Sequence, residues 1–272
     1  MKAAPFRYER PRRLEDAIEL LGDEDAKPLA GGQSLVPMMA MRLARPRVLV
    51  DLGSLPELSE VRERDGELVI GAMVRQRELE RRPGLEQTVP LLAAGIPYVG
   101  HREIRNRGTV GGSLTHADPA AELGVIAATL RAAIVARGPD GERVIAGDDL
   151  VVGPFQTALA SGELLTAVRW PTARPGDGFA FEEVARRHGD FALCGVAVHV
   201  RRQGLARVGL MGVGPAPVVR EVEAERDPAE VGGEIASSLE PASDIHASAG
   251  YRRRLARVLV ERCLRHALEH AA

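Results

Sequence analysis

Two glycine pairs, Gly31-Gly32 and Gly111-Gly112, constrain this chain more than any other feature of its sequence. The first sits in Leu29-Ala30-Gly31-Gly32-Gln33-Ser34-Leu35-Val36 and the second in Thr109-Val110-Gly111-Gly112-Ser113. Without a Cβ, such residues let another chain segment or a ligand come against the backbone. Where a loop of this kind opens a helix, free N–H groups gather at the positive end of the helix dipole, a setting that suits an anion. Ser34 adds a hydroxyl. One such pair alone reads as a tight turn with Ser34 as helix N-cap. Two of the same kind read as separate nests for the two phosphates of a pyrophosphate. The glycine fingerprint of a Rossmann unit is missing, because the nearest match, Gly212-Val213-Gly214-Pro215-Ala216-Pro217, ends in proline and sits in the wrong place. No Walker A sequence occurs either. The expectation is a dinucleotide held outside a Rossmann fold.

Around these loops the chain alternates short helical and strand-like runs. Leu14, Ala17, Ile18 and Leu21 recur at helical spacing with Gly22 as a stop, which predicts a helix over 13–21. A second helix is expected after Ser34, to about Leu43, followed by a buried strand over Arg47–Leu52. Glu67–Gly71 reads as a strand and Thr88–Gly100 as mostly helical. Asp118 is placed to cap a helix whose first residue is Pro119 and which runs to about Leu130. Strands over 132–137 and 143–145 flank the turn Gly138-Pro139-Asp140-Gly141, and Glu163–Trp170 is a further strand closed by Pro171. The breaker-rich segment Ala173-Arg174-Pro175-Gly176-Asp177-Gly178 reads as a linker. Beyond it, Phe191–Arg201 and Ala206–Val213 form a hairpin around Gln203-Gly204. A terminal helix over 248–270 carries Leu255, Val258, Leu259, Cys263 and Ala267 on one face, opposite arginines.

Composition removes several function classes. Thirty-six basic and 38 acidic side chains leave a formal charge of −2, so nothing attracts a nucleic-acid backbone globally. The two cysteines, Cys194 and Cys263, are too few for a disulfide framework, a four-thiolate zinc site or an iron–sulfur cluster. No apolar run approaches the roughly 18 residues of a membrane helix, and the segment up to Arg10 lacks the pattern of a signal peptide. A cytoplasmic protein without membrane insertion is expected.

Three stretches carry a specific resemblance: Ala30–Val36, Ile104–Gly112, and His116-Ala117-Asp118-Pro119-Ala120-Ala121-Glu122. Together they resemble the flavoprotein subunits of carbon monoxide dehydrogenase and related molybdenum hydroxylases, a flavin domain also found inside xanthine dehydrogenase. Phe181–Val198 resembles the opening of that family's C-terminal flavoprotein domain, so the likeness spans nearly the whole chain. It implies an α+β, vanillyl-alcohol-oxidase-type FAD-binding fold of two subdomains, about 1–55 and 56–175, plus a smaller C-terminal α/β domain over 176–272. Leu29–Val36 and Thr109–Ser113 would then contact the FAD pyrophosphate and its surroundings. Glu122 falls where the family often has an acidic residue near the cofactor, and Leu165 where an apolar one meets it. Asp118 is either an FAD contact or only a helix cap, and Phe191 either stacks on the flavin or belongs to the core. Glu182 departs from relatives that carry a basic residue there.

The resemblance also implies partners. A large molybdenum-cofactor subunit would hydroxylate the substrate, a small iron–sulfur subunit would pass the electrons on, and the assembly would be a dimer of heterotrimers. This chain would hold FAD and deliver electrons to an external acceptor, with no catalytic side chain of its own. The alternatives are an autonomous FAD-dependent reductase or oxidase of the same broad fold, which needs its own acid, and a flavin-free assembly protein. His266-Ala267-Leu268-Glu269-His270 matches an inverted zinc-protease spacing by chance, and no other histidines show metal-ligand spacing.

Overall fold

The computed structural model describes residues 2–201 and 204–271. Its first unit is a three-stranded sheet, β1 (Arg7–Glu9), β2 (Ala26–Leu29) and β3 (Val48–Asp51), in the order β1-β3-β2. Both pairings are parallel, so each strand returns through a helix: α1 (Leu14–Leu21) between β1 and β2, and α2 (Leu35–Ala40) between β2 and β3. The expected stripe of α1 (Leu14, Ala17, Ile18, Leu21) is buried against Val48 and Val50. The helix α2 ends at Ala40, earlier than the predicted Leu43, because Arg42 turns into the left-handed region with φ 61°.

A five-stranded antiparallel sheet follows, in the order β4-β5-β10-β6-β7. Its strands are β4 (Val61–Arg64), β5 (Glu67–Gly71), β6 (Ala133–Gly138), β7 (Gly141–Ala146) and β10 (Leu164–Pro171). The strand β4, not among the expected strands, pairs with β5 through Asp65-Gly66, whose φ angles of 53° and 77° suit a tight hairpin turn. Between β5 and β6 run α3 (Gln76–Glu80), α4 (Leu85–Thr88), α5 (Pro90–Gly95), α6 (Arg102–Arg105), α7 (Val110–His116) and α8 (Glu122–Leu130). A small ribbon, β8 (Val151–Gly153) with β9 (Gln156–Thr157), precedes β10. Leu68, Ile70, Ile134, Val168 and Trp170 pack with Leu91, Leu92, Leu123 and Ile126 in one core.

Two expectations change here. The second glycine pair is not a loop before a helix, since α7 begins at Val110 and runs through Gly111 and Gly112. Thr109 makes this possible: its Oγ1 accepts from the Gly112 N–H at 3.1 Å and caps the helix. Asp118 does not cap α8. Its Oδ1 accepts from the Ala120 N–H at 2.9 Å, closing a turn, and α8 starts three residues beyond Pro119 at Glu122.

The last unit is a four-stranded antiparallel meander, β11 (Gly178–Ala185), β12 (Ala192–Val200), β13 (Leu205–Met211) and β14 (Val218–Glu223), followed by α9 (Pro228–Ser237) and α10 (Ala249–His270). Gln203, expected at the β12–β13 turn, lies outside the described residues. The nine residues of β12 are all buried, because both faces are covered. Cys194, Val196 and Val198 meet α9 and α10, whereas Ala197 points at the core containing α5 and α8. The helix α10 is rotated from the sequence expectation: Val258 is half exposed, and the buried stripe is Arg252, Ala256, Leu259, Val260, Cys263, Leu264 and Ala267.

Arg207 on β13 fixes how this sheet sits on α8. Its guanidinium donates to the carbonyls of Thr129 and Ala128 at 2.9 and 3.0 Å, and to Asp148 and Glu221. It therefore satisfies the open C-terminal end of α8 while pairing two carboxylates. Nearby, a Cβ on Gly209 would come 2.0 Å from Thr129 Oγ1, so helix and sheet meet too closely there for any side chain.

Candidate functional site

A cleft of about 780 Å³ runs between the first two units and reaches the β11–β12 turn. That is the size range of small-molecule and cofactor sites. Its floor at one end is the turn from Ala30 to Leu35. Gly32 has φ +73°, a conformation glycine adopts without strain. A Cβ on Gly31 would lie 2.3 Å from the Arg107 carbonyl oxygen and 2.9 Å from Gly108 Cα. The first glycine turn thus presses directly on the segment leading into the second.

The two glycine pairs do different jobs. Among the described residues, the N–H groups of Gly31, Gly32, Gln33 and Ser34 have no hydrogen-bond partner, although all four residues line the cleft. Four consecutive unpaired donors form an anion nest. At the second pair, Val110 N–H donates to Val74, Gly111 N–H to Ala72 and Gly112 N–H to Thr109 Oγ1. Those donors are spent on holding α7, and the expectation of a second nest is corrected accordingly. The second pair contributes a bare surface and the neighbouring Ser113. A Cβ at Gly111 would meet Ala72 at 2.6 Å, so the glycine is needed for α7 to lie against the chain after β5.

Of the remaining sequence candidates, Ala30, Leu35, Thr109, Ser113, Asp118, Glu122, Leu165 and Phe191 also line the cleft. Leu29, Val36 and Val110 do not: Leu29 and Val36 flank Gly32 from behind, and Val110 is fully buried in the core. Phe191 is 71% exposed and sits at the mouth, outside any core. Its loop is seated by Gly189, where φ is +86° and a Cβ would fall within 2.8 Å of the His101 ring. Several liners were not singled out from sequence, among them Gln76, His101, Ile104, Thr115 and Phe155. His116 lies at the cleft with its ring 5.2 Å from that of Phe155. Gln76 is buried with its Oε1 unpartnered. A lone glutamine inside a short helix carries no signal that would have revealed it.

Arg105 props the wall. It pairs with Glu80 through two bonds, at 2.8 and 3.0 Å, and its Nη1 donates to the carbonyls of Val99 and Gly100. These hydrogen bonds hold the Glu80 carboxyl down at about 2, Arg105 contributing most and Arg77 less. A depressed folded value means that the stabilisation is present above the ordinary carboxylate range and is lost as pH falls from about 4.5 towards 2. Glu80→Gln should therefore cost about 2 kcal/mol at neutral pH and flatten the acid limb of a melting-temperature profile against pH. An unchanged acid limb would refute this role.

Two carboxyls, Glu122 at the cleft and Glu183 outside its lining, are unlike the rest. Glu122 opens α8 and is 6% exposed, and burial pushes it up to about 7, with Asp118 adding to the rise. Glu183 on β11 is raised to about 8, by burial first and then by the charge of Glu122, and its Oε2 has no partner. Glu182, the position singled out from sequence, points the other way and pairs with Arg262 of α10 at 2.9 Å. Strand alternation explains the swap: Glu183 shares the face of Phe181, which packs towards α5 and α8, and Glu182 shares that of Ala180, which packs under α10.

Comparison with known proteins fits this geometry. Residues 4–173 match the family described as the FAD binding domain in molybdopterin dehydrogenase, and residues 179–267 match the CO dehydrogenase flavoprotein C-terminal domain. The chain is 39% identical over 279 residues to the nicotine 6-hydroxylase medium subunit of Paenarthrobacter nicotinovorans, covering 97% of this chain and 98% of that one. It is 34% identical over 274 residues to the carbon monoxide dehydrogenase medium chain of Hydrogenophaga pseudoflava, covering 95% and 96%. The crystal structure of the cyanide-inactivated Cu,Mo-CO dehydrogenase superposes with a TM-score of 0.93 at 34% identity, covering 99% of this chain and 100% of that one.

Proposed function

The chain belongs to the family of FAD-binding medium subunits of molybdenum hydroxylases, and from that premise we propose that the cleft between its first two units holds FAD with the pyrophosphate on Gly31–Ser34. The chain is accordingly one component of a multi-subunit, molybdenum-dependent oxidoreductase. The observation that carries the site assignment is the run of four unpaired N–H groups on the cleft floor. Backbone donors fixed in a turn bind a dianionic linker with little loss of conformational entropy, and the bare surface of Gly111-Gly112 lets the ligand lie close. Bound FAD would supply the redox chemistry, taking electrons from the iron–sulfur clusters of a small partner subunit and yielding them to an external acceptor.

What the chain itself does is bind, orient and exclude water. Ser34 and Ser113 offer hydroxyls at the pyrophosphate, and Leu165 gives an apolar wall. Phe191 covers the mouth, where an exposed aromatic ring can stack on a flat ligand. Asp118, whose carboxylate already closes its own turn, serves the site by shaping the approach to Glu122. Leu29, Val36 and Val110 act behind the lining by fixing the two turns. The division into a FAD domain over 1–175, with subdomains about 1–55 and 56–175, and a C-terminal domain over 176–272 is part of the same reading. So are a dimer of heterotrimers containing a large molybdenum subunit, and a cytoplasmic location. No helix among the described residues is long and apolar enough to cross a membrane.

The test is an absorbance spectrum of the purified chain with chromatographic identification of what heat releases. One FAD per chain is expected, with iron–sulfur and molybdenum chromophores appearing only on co-purification with partner subunits. A folded chain that stays colourless in excess FAD would overturn the assignment.

A further inference from the structure

The ribbon of β8 and β9 ends in a two-residue turn whose second residue takes a conformation that disfavours its own side chain. Val151 pairs with Thr157 and Gly153 with Gln156, which leaves Pro154 and Phe155 at the tip. Proline fixes its own φ near −65°, and Phe155 follows at φ +58°. That succession is the pattern of a type II turn, whose second central position favours glycine because a Cβ is strained there. The residue is nevertheless a phenylalanine, and it is 58% exposed, so packing into a core does not account for it.

Two contacts hold the strained tip in place. The Phe155 N–H donates to the carbonyl of Ala117 at 2.9 Å, and Ala117, the residue that ends α7, is itself left-handed at φ 51°. The His116 ring lies 5.2 Å from that of Phe155, with the two planes tilted by 47°, and both residues line the cleft. Residues three and four apart share one side of a helix, so His116 lies on the side of α7 that carries Gly112 and Ser113, about one turn further along. The tip therefore brings an aromatic face next to the bare helix surface of the second glycine pair. Left-handed residues other than glycine cost stability and persist where their surroundings hold them, characteristically at ligand clamps. Here two of them are joined by a hydrogen bond, and together they carry an exposed ring to a cleft. Val152, on the same ribbon, is 61% exposed and is not part of the lining.

We propose that Phe155, backed by the His116 ring, is a platform on which a planar end of the bound cofactor stacks, and that the strain at the tip is kept for this contact. The proposal rests on the FAD reading above. FAD has two planar ends, adenine and isoalloxazine, and a phenyl ring serves either, because each offers a π-face and the phenyl has no polar atom with which to choose. Phe155 is then a binding residue, and His116 and Ala117 are positioning residues acting through it.

The test uses the full chain and Phe155→Gly, which removes the ring while suiting the backbone. FAD affinity, followed by flavin fluorescence, should weaken about tenfold, the size of one ring stack. The melting temperature without added FAD should not fall, because glycine relieves the left-handed strain. Phe155→Tyr should keep wild-type affinity, and Val152→Ala, on the ribbon but outside the cleft, should leave it unchanged. Titration with FMN and with ADP identifies the stacked end: the loss in Phe155→Gly appears with FMN if the isoalloxazine lies on the ring, and with ADP if the adenine does. Unchanged FAD affinity in Phe155→Gly, or a loss accompanied by a fall in that melting temperature, would overturn the platform and leave the FAD reading standing. A folded wild-type chain that binds no FAD would overturn the FAD reading, and the platform with it.

Discussion

Replacing Gly31 with alanine is expected to abolish FAD binding while leaving most of the chain folded. The new methyl group would sit 2.3 Å from the Arg107 carbonyl oxygen and 2.9 Å from Gly108 Cα, both backbone atoms that cannot rotate away. The two glycine segments must separate, and the Gly31–Ser34 donors, which act only as a set, lose their common focus. Overpacking of this kind costs about 1–3 kcal/mol in stability. The loss at the site is larger, because a displaced nest forfeits several charge-assisted hydrogen bonds together, and about 3 kcal/mol or more corresponds to at least a hundredfold rise in the FAD dissociation constant. Titration with FAD beside a thermal melt separates the two effects. Wild-type affinity in a folded Gly31→Ala protein would remove the nest from the binding site.

The second large effect is expected at Arg207, away from the cleft. Arg207→Met keeps much of the apolar volume but strands the Thr129 carbonyl, takes a second donor from that of Ala128, and removes the cation that Asp148 and Glu221 share, leaving Asp148 only Arg131. The side chain is 4% exposed, so water cannot replace it without opening the interface. Breaking a buried charged network typically costs 3–5 kcal/mol, and for a chain of this size about 4 kcal/mol lowers the melting temperature by roughly 10 °C. Arg207→Lys should recover only part of this, because one ammonium cannot reproduce the planar fork that serves four acceptors. A shift of no more than about 1 °C in Arg207→Met would mean that the sheet is held on α8 by apolar packing alone.

Much of this arrangement was legible in the residues. The Leu14–Leu21 stripe, the turn at Pro139-Asp140, the strand closed by Pro171 and the long terminal helix all follow from local spacing, and the structure keeps them. Local rules misplaced the elements where a side chain competes for the backbone. Thr109 drew α7 back over its glycines by capping Gly112, and Asp118 spent its carboxylate on Ala120, delaying α8 to Glu122. Asp65-Gly66 carries the residue signature of a tight hairpin turn, and the strand that leads into it, β4, is legible from that pair. At the site, the glycine turns announced themselves through composition. Gln76 and His101 gave no sign, because their place in the wall depends on Gly108 and Gly189 approaching from distant segments. The exchange of Glu183 for Glu182 is a matter of parity: counting by twos from the buried Phe181 identifies the acid on the face turned towards α5 and α8.

The strand order β4-β5-β10-β6-β7 has a consequence for how the chain comes off the ribosome. Its central strand is made last, so β5 and β6, both apolar, emerge with an unfilled gap between them. Until Leu164–Pro171 has been translated, each shows an open edge able to pair with a neighbouring nascent chain. At ordinary synthesis rates that interval lasts on the order of seconds. Slow codons between 138 and 164 would lengthen it, and holding factors that mask open strand edges would be needed most within that window.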